Sequence, residues 1–116
     1  MTIDETQVDR LEEIGGPALV VGLIDIVLQE LPGRIAGVRA ALARHDREAL
    51  GTAAHSVVSG TGHFGAFGLS DLARETEQAA SRGDWPALTE SVTRLEALAD
   101  AFLSYLARER ARRVPA

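Results

Sequence analysis

A chain of 116 residues fits one compact domain whose apolar core needs no covalent staples. It has no cysteine, which excludes disulfides, thiolate metal sites and thiol catalysis and makes a reducing cytoplasm the default compartment. The formal charge of −5 argues against non-specific nucleic-acid binding, and the terminal basic cluster Arg108, Arg110, Arg112 and Arg113 reads as a solvated helix end favoured by the helix dipole. Hydrophobic residues make up 46% of the chain but aromatics only 4%, and the abundance of Ala and Leu suits helices more than sheets. The most apolar run, Ala18 to Leu28, is too short to span a membrane and contains Asp25. The acidic start, Met1 to Glu13, lacks the basic head and apolar centre of a signal peptide.

Five helical segments follow from the punctuation. A short one at about 5–14 ends at Gly15-Gly16, and Pro17 opens the next at its first position. The second covers about 17–44. Within it Val21, Ile24, Leu28, Leu31, Ile35, Val38 and Leu42 keep a three-four spacing and form one stripe. Pro32 predicts a kink and no full break, because the stripe stays in phase across it. The third, about 46–64, takes Asp46 as its N-cap and turns Leu50, Ala54, Val57, Thr61 and Phe64 inward before Gly65 ends it. The fourth, about 69–82, turns in Leu69, Leu72, Thr76 and Ala79. Gly83-Asp84 stops it and caps the fifth, about 85–112, with the stripe Leu88, Val92, Leu95, Ala99, Phe102 and Leu106. Short connections make neighbouring helices antiparallel, and no segment alternates with period two. The expected fold is all-α: an up-down-up-down antiparallel four-helix bundle with a short N-terminal capping helix, one domain over 1–116.

Function must come from the polar outliers. His45 falls at a helix junction and reads as a loop residue. His55 lies mid-helix, with the inward stripe centred roughly 140° away, so it points outward. Gly51, Thr52, Ser59 and Gly62 share its face, and all are small. They leave the imidazole clear for close approach by a second protein. An imidazole is largely neutral and nucleophilic at cytoplasmic pH, and attack on an aspartyl phosphate would give a phosphohistidine. Such transfer needs mainly positioning and charge neutralisation, so the carrier itself needs little equipment.

The stretch Ala54-His55-Ser56-Val57-Val58-Ser59-Gly60-Thr61-Gly62-His63-Phe64-Gly65-Ala66 resembles the histidine-phosphotransfer (HPt) family motif. Val57 fills its apolar position, Ser59, Gly60 and Thr61 its small ones, and Gly65-Ala66 falls in register. The flanks are similar too: Leu31-Pro32, Leu42 to Asp46 with Leu50, then Leu69, Leu72, Glu77, Ala79 and Gly83-Asp84. The resemblance implies a phosphorelay intermediate, with His55 as phosphoacceptor, that takes the group from one receiver-domain aspartate and hands it to another. Thr52, Val58, Ser59, Gly62 and His63 would form the phosphate vicinity and docking rim. Response-regulator receiver domains are the implied partners, with a hybrid histidine kinase as a further candidate. No cofactor is expected on this chain; Mg2+ would sit on the receiver. One departure stands out. The family usually places Lys three residues after the histidine, and this chain has Val58. The alternative reading is therefore a degenerate HPt-like module that binds receiver or kinase domains without carrying phosphate.

The first half of the second helix is apolar on more than one side, so Leu23 and Val27 are candidates for docking a receiver's apolar helix. A metal enzyme in a helical bundle would need Glu-x-x-His motifs, and none occurs. No phosphate-binding Gly-Lys loop is present either, which argues against an autonomous kinase. The start at Met1 fits a stand-alone cytoplasmic carrier.

Overall fold

Caps and left-handed turns divide the described residues into four helices. The computed structural model describes residues 3–115 and places α1 at Thr6–Ala43, α2 at Arg47–Thr61, α3 at Phe67–Arg82 and α4 at Trp85–Ala111. A 3-10 turn, Gly62–Phe64, extends α2. No strand occurs among the described residues. Asp46 accepts from the Ala49 N–H at 3.0 Å and Asp84 from the Ala87 N–H at 3.2 Å, each satisfying a donor that its helix start leaves free. Three helix ends close in the same way, through a left-handed residue: His45 (φ 52), Gly65 (φ 77) and Gly83 (φ 65). At Gly83 the paired bonds are Gly83 N–H to the Ala80 carbonyl and Asp84 N–H to the Ala79 carbonyl. These tight reversals make neighbouring helices antiparallel. α1 packs on α2, α2 on α3, α3 on α4 and α4 back on α1, in a bundle of 46 × 21 × 18 Å.

α1 has one non-helical residue, Gly16 (φ 79, ψ 176), a conformation that only glycine adopts readily. It separates a capping segment from the long helix that begins at Pro17. Torsions stay helical through Pro32, so the helix is not broken there. The inward stripes of α2, α3 and α4 lie where the spacing puts them: Leu50, Ala54, Val57, Leu69, Leu88, Val92, Leu95, Phe102 and Leu106 are at most 1% exposed.

The α1 stripe needs correcting. Ile24, Leu31, Val38 and Leu42 are buried, but Val21, Leu28 and Ile35 are only half-buried, and Val20 and Val27 take their place inside. A straight α-helix drifts by about 20° per heptad against a fixed seven-residue repeat. Over three heptads the Val21–Leu28–Ile35–Leu42 row therefore turns from the flank of the core face toward its centre, and it is buried only at Leu42.

The terminal arginines also differ from a solvated helix end. The Arg113 side chain is 7% exposed, lies 3.2 Å from Glu12 and 3.8 Å from Asp9 of the capping segment, and donates to the Glu109 carbonyl. Arg112 pairs with Glu109, which is itself buried. α4 thus staples the cap, whose Val8 is fully buried and whose Asp4 N–H donates to the Gly65 carbonyl at 2.8 Å.

Gly65 is both left-handed and crowded: a Cβ there would stand 2.3 Å from the Asp4 carbonyl oxygen. Gly65→Ala should cost about 1–3 kcal/mol and lower the thermal midpoint accordingly. Tyr105 is 5% exposed, and its hydroxyl has no partner among the described residues. Burial, helped by the charges of Glu109, Glu5 and Asp9, pushes its phenol up to about 12. The folded chain therefore holds that proton more tightly than the unfolded one. Stability from this group is complete below about pH 10 and is lost as pH rises toward 12. Tyr105→Phe should raise stability by about 1 kcal/mol at neutral pH and remove this alkaline loss, both readable in denaturant titrations.

Candidate functional site

Burial of Leu50, Ala54 and Val57 turns the opposite face of α2 to solvent, and His55 stands at its centre. Its side chain is 73% exposed. Across the α2–α3 groove, Nδ1 lies 3.0 Å from Oε2 of Glu77. An ionised carboxylate only accepts, so the neutral ring takes the tautomer in which Nδ1–H donates. The lone pair is then left on Nε2. Glu77 is 41% exposed, so the contact contributes little to stability but does orient the ring. The groove around the pair is lined by Arg47, Glu48, Gly51, Thr52 and Ser81.

The other residues singled out in the sequence fall in three places. Thr52 and Ser59 are exposed one turn before and one turn after His55. The Ser59 hydroxyl donates to the Ser56 carbonyl at 2.9 Å. Val58 is half-buried against the core, so it offers the site no polar group. Gly62 and His63 belong to the 3-10 turn, two turns further on. His63 is exposed and edges a second, apolar groove with Leu11, Leu23, Ile26, Val27 and Phe64. His45 stacks on Trp85 at the α1–α2 turn, with centroids 4.5 Å apart.

The half-helix read as a docking surface is turned by the position of the α1 core face, which runs through Val20, Ile24 and Val27. Val27 is 9% exposed and belongs to the core, so it forms the floor of the apolar groove and does not project. Leu23 is half-buried at its edge, and the side chain that stands out is Ile26, 51% exposed. The capping segment contributes Leu11 to this groove and leaves it open.

Sequence reasoning gave no role to Glu77 or Arg34. Arg34 of α1 donates from Nη1 to the Ser56 carbonyl at 2.8 Å and to the Ser59 hydroxyl at 3.2 Å, and from Nη2 to Glu30 at 2.8 Å. Both residues reach α2 from other helices, at separations of 22 to 25 positions, so no local spacing signals them. Among the described residues no group of three or more His, Asp or Glu is placed to hold a metal ion, and no helix is long and apolar enough to cross a membrane.

Comparison with known proteins bears on the family and the fold. A family model described as the Hpt domain matches residues 22–105. Among solved structures, the crystal structure of histidine-containing phosphotransfer protein B (HptB) from Pseudomonas aeruginosa PAO1 is similar, at 26% identity over 95% of each chain and a TM-score of 0.86. A search of curated proteins finds no match.

If Glu77 sets the tautomer, nitrogen-15 spectra of the neutral ring should show the Nδ1–H form dominant in the wild type. In Glu77→Ala the population should move toward the Nε2–H form, with the thermal midpoint almost unchanged.

Proposed function

The chain belongs to the Hpt domain family, and on that premise we propose that it is a phosphorelay intermediate whose His55 takes a phosphoryl group from a receiver-domain aspartate and passes it to a second receiver. The observation that supports this most directly is the imidazole itself: an exposed ring whose Nδ1 is engaged by Glu77, leaving Nε2 as the nucleophile. In the loading step the Nε2 lone pair attacks phosphorus. The P–O bond to the aspartate breaks, and the carboxylate leaves with that electron pair. The ring becomes an N-phosphorylated imidazolium that keeps its Nδ1 proton, and the Glu77 carboxylate offsets the positive charge across a charge-assisted hydrogen bond. The same path in reverse unloads the group.

Phosphoryl transfer asks for positioning and charge neutralisation more than for covalent machinery. The receiver's acidic pocket, with its Mg2+, is expected to bring what this chain lacks. On this reading the chain is a cytoplasmic carrier with no kinase activity and no cofactor of its own. The receiver would rest on the apolar groove edged by Leu23 and Ile26, with Thr52, Ser59, Gly62 and His63 on the rim around His55. A hybrid histidine kinase would present its own receiver to the same face.

One observation favours a second reading. Val58 packs on the core where the family usually has Lys, and the chain contains no lysine anywhere. A module that binds receivers without carrying phosphate would look the same in this respect. Incubation with phosphorylated receiver domains separates the two, with His55→Ala alongside. We expect acid-labile label on the wild type and none on the variant. Stable binding to several receivers without label would favour the second reading.

A further inference from the structure

The surface around His55 is short of positive charge before any phosphate arrives. Glu77 touches the ring, Glu48 lines the same groove, and Val58 is aliphatic. A phosphoryl group adds about −1.5 to −2. The chain has arginines and no lysine, and two arginines bear on this surface: Arg47 at the start of α2 and Arg34 of α1. Arg47 lines the groove, but it lies eight positions before His55, about 12 Å along the helix axis. Its guanidinium leans on the α3–α4 turn: a Cβ built on Gly83 would stand 3.3 Å from its Nη1.

Arg34 arrives from the other side. Its row on α1 runs Ile26, Glu30, Arg34, from the apolar groove toward the Ser56–Ser59 edge of α2. Nη1 is anchored on the carbonyl of Ser56, the residue after His55, and on the hydroxyl of Ser59, one turn along the same face. These hydrogen bonds, with that to Glu30, engage three of its five N–H donors. We propose that Arg34, held at Ser59, supplies the positive charge that stabilises a phosphoryl group on His55, in place of a cation at the Val58 position of α2. This rests on His55 being the phosphoacceptor. Ser59 is a weak neutral acceptor, and a phosphate oxygen one turn away is a much stronger partner for the same N–H. A small rotation of the Arg34 side chain exchanges one for the other while the Ser56 anchor stays in place. The group would also join docking to chemistry, since its row on α1 starts at Ile26 in the apolar groove and ends at Arg34 on the Ser56 carbonyl.

The competing role is a strut that only ties α1 to α2. Phosphoramidate separates the two, because it donates phosphoryl to an imidazole nitrogen without a partner protein. The P–N bond breaks and ammonia leaves. The rate of phosphohistidine formation and its hydrolysis half-life can be followed by phosphorus NMR on the full chain. Arg34→Gln keeps an amide donor for the Ser56 carbonyl and removes the charge. We expect it to slow formation about tenfold, the equivalent of one charged hydrogen bond, and to shorten the half-life. Adding Val58→Lys to Arg34→Gln should restore both. Wild-type kinetics in Arg34→Gln would overturn the proposal. So would a loss that Val58→Lys leaves unrepaired while the thermal midpoint falls, which is the signature of a strut. Failure of the carrier reading looks different: the wild type would give no phosphohistidine, or the signal would survive His55→Ala.

Discussion

Burial of Leu50, Ala54, Val57, Thr61 and Phe64 fixes the rotation of α2 about its own axis, and the site follows from that rotation. All five are at most 2% exposed. Full burial of a large apolar side chain contributes about 1.5–3 kcal/mol, whereas a glycine in a helix interior costs about 0.5–1 kcal/mol. The inward stripe therefore outweighs the small residues on the outer face, and the helix can carry Gly51 and Ser59 beside His55 without losing its orientation. Thr61 adds a polar lock: its hydroxyl lies 2.6 Å from that of Ser70 on α3, and both are buried. A slip of α2 would separate them and take from the buried Ser70 hydroxyl its partner, while Thr61 keeps the Val57 carbonyl of its own helix at 3.1 Å.

α3 is set by the same reasoning. With Leu69, Leu72 and Thr76 turned inward, Glu77 comes next to the α2–α3 groove and meets the His55 ring. Two independent core stripes thus determine one surface contact. The pair is too exposed to matter for folding. What it decides is chemical, because a carboxylate on Nδ1 settles which nitrogen keeps its lone pair.

Rigid connections preserve this alignment. Three helix ends reverse through a left-handed residue, and one of these is not glycine. His45 tolerates that conformation while stacking on Trp85 at the start of α4, so the α1–α2 turn is tied to the far side of the bundle. At the opposite end, Arg113 gathers Asp9, Glu12 and Glu109, and Asp4 bonds to the Gly65 turn. The capping segment is therefore held at α4 and at the end of the histidine helix together, and its Leu11 forms one wall of the apolar groove.

Local spacing was enough for the helices, for three of the four core stripes and for the outward direction of His55, because each depends on a 3.6-residue repeat within one segment. The α1 stripe lies one position away in the first half of that helix: Val20 and Val27 are inside in place of Val21 and Leu28, and Ile26 faces outward, because that half is apolar on more than one side and the spacing alone fits either row. The charge environment of the histidine could not be read from the chain at all. Glu77 and Arg34 lie 22 and 21 positions from His55 on other helices, and only the packing of α3 and α1 against α2 brings a carboxylate onto the ring and a guanidinium onto the carbonyl of the next residue, Ser56. The sequence by itself determined which residue faces solvent, since burial is decided helix by helix. The tertiary structure alone decided which charges stand beside it, since that depends on distances between helices.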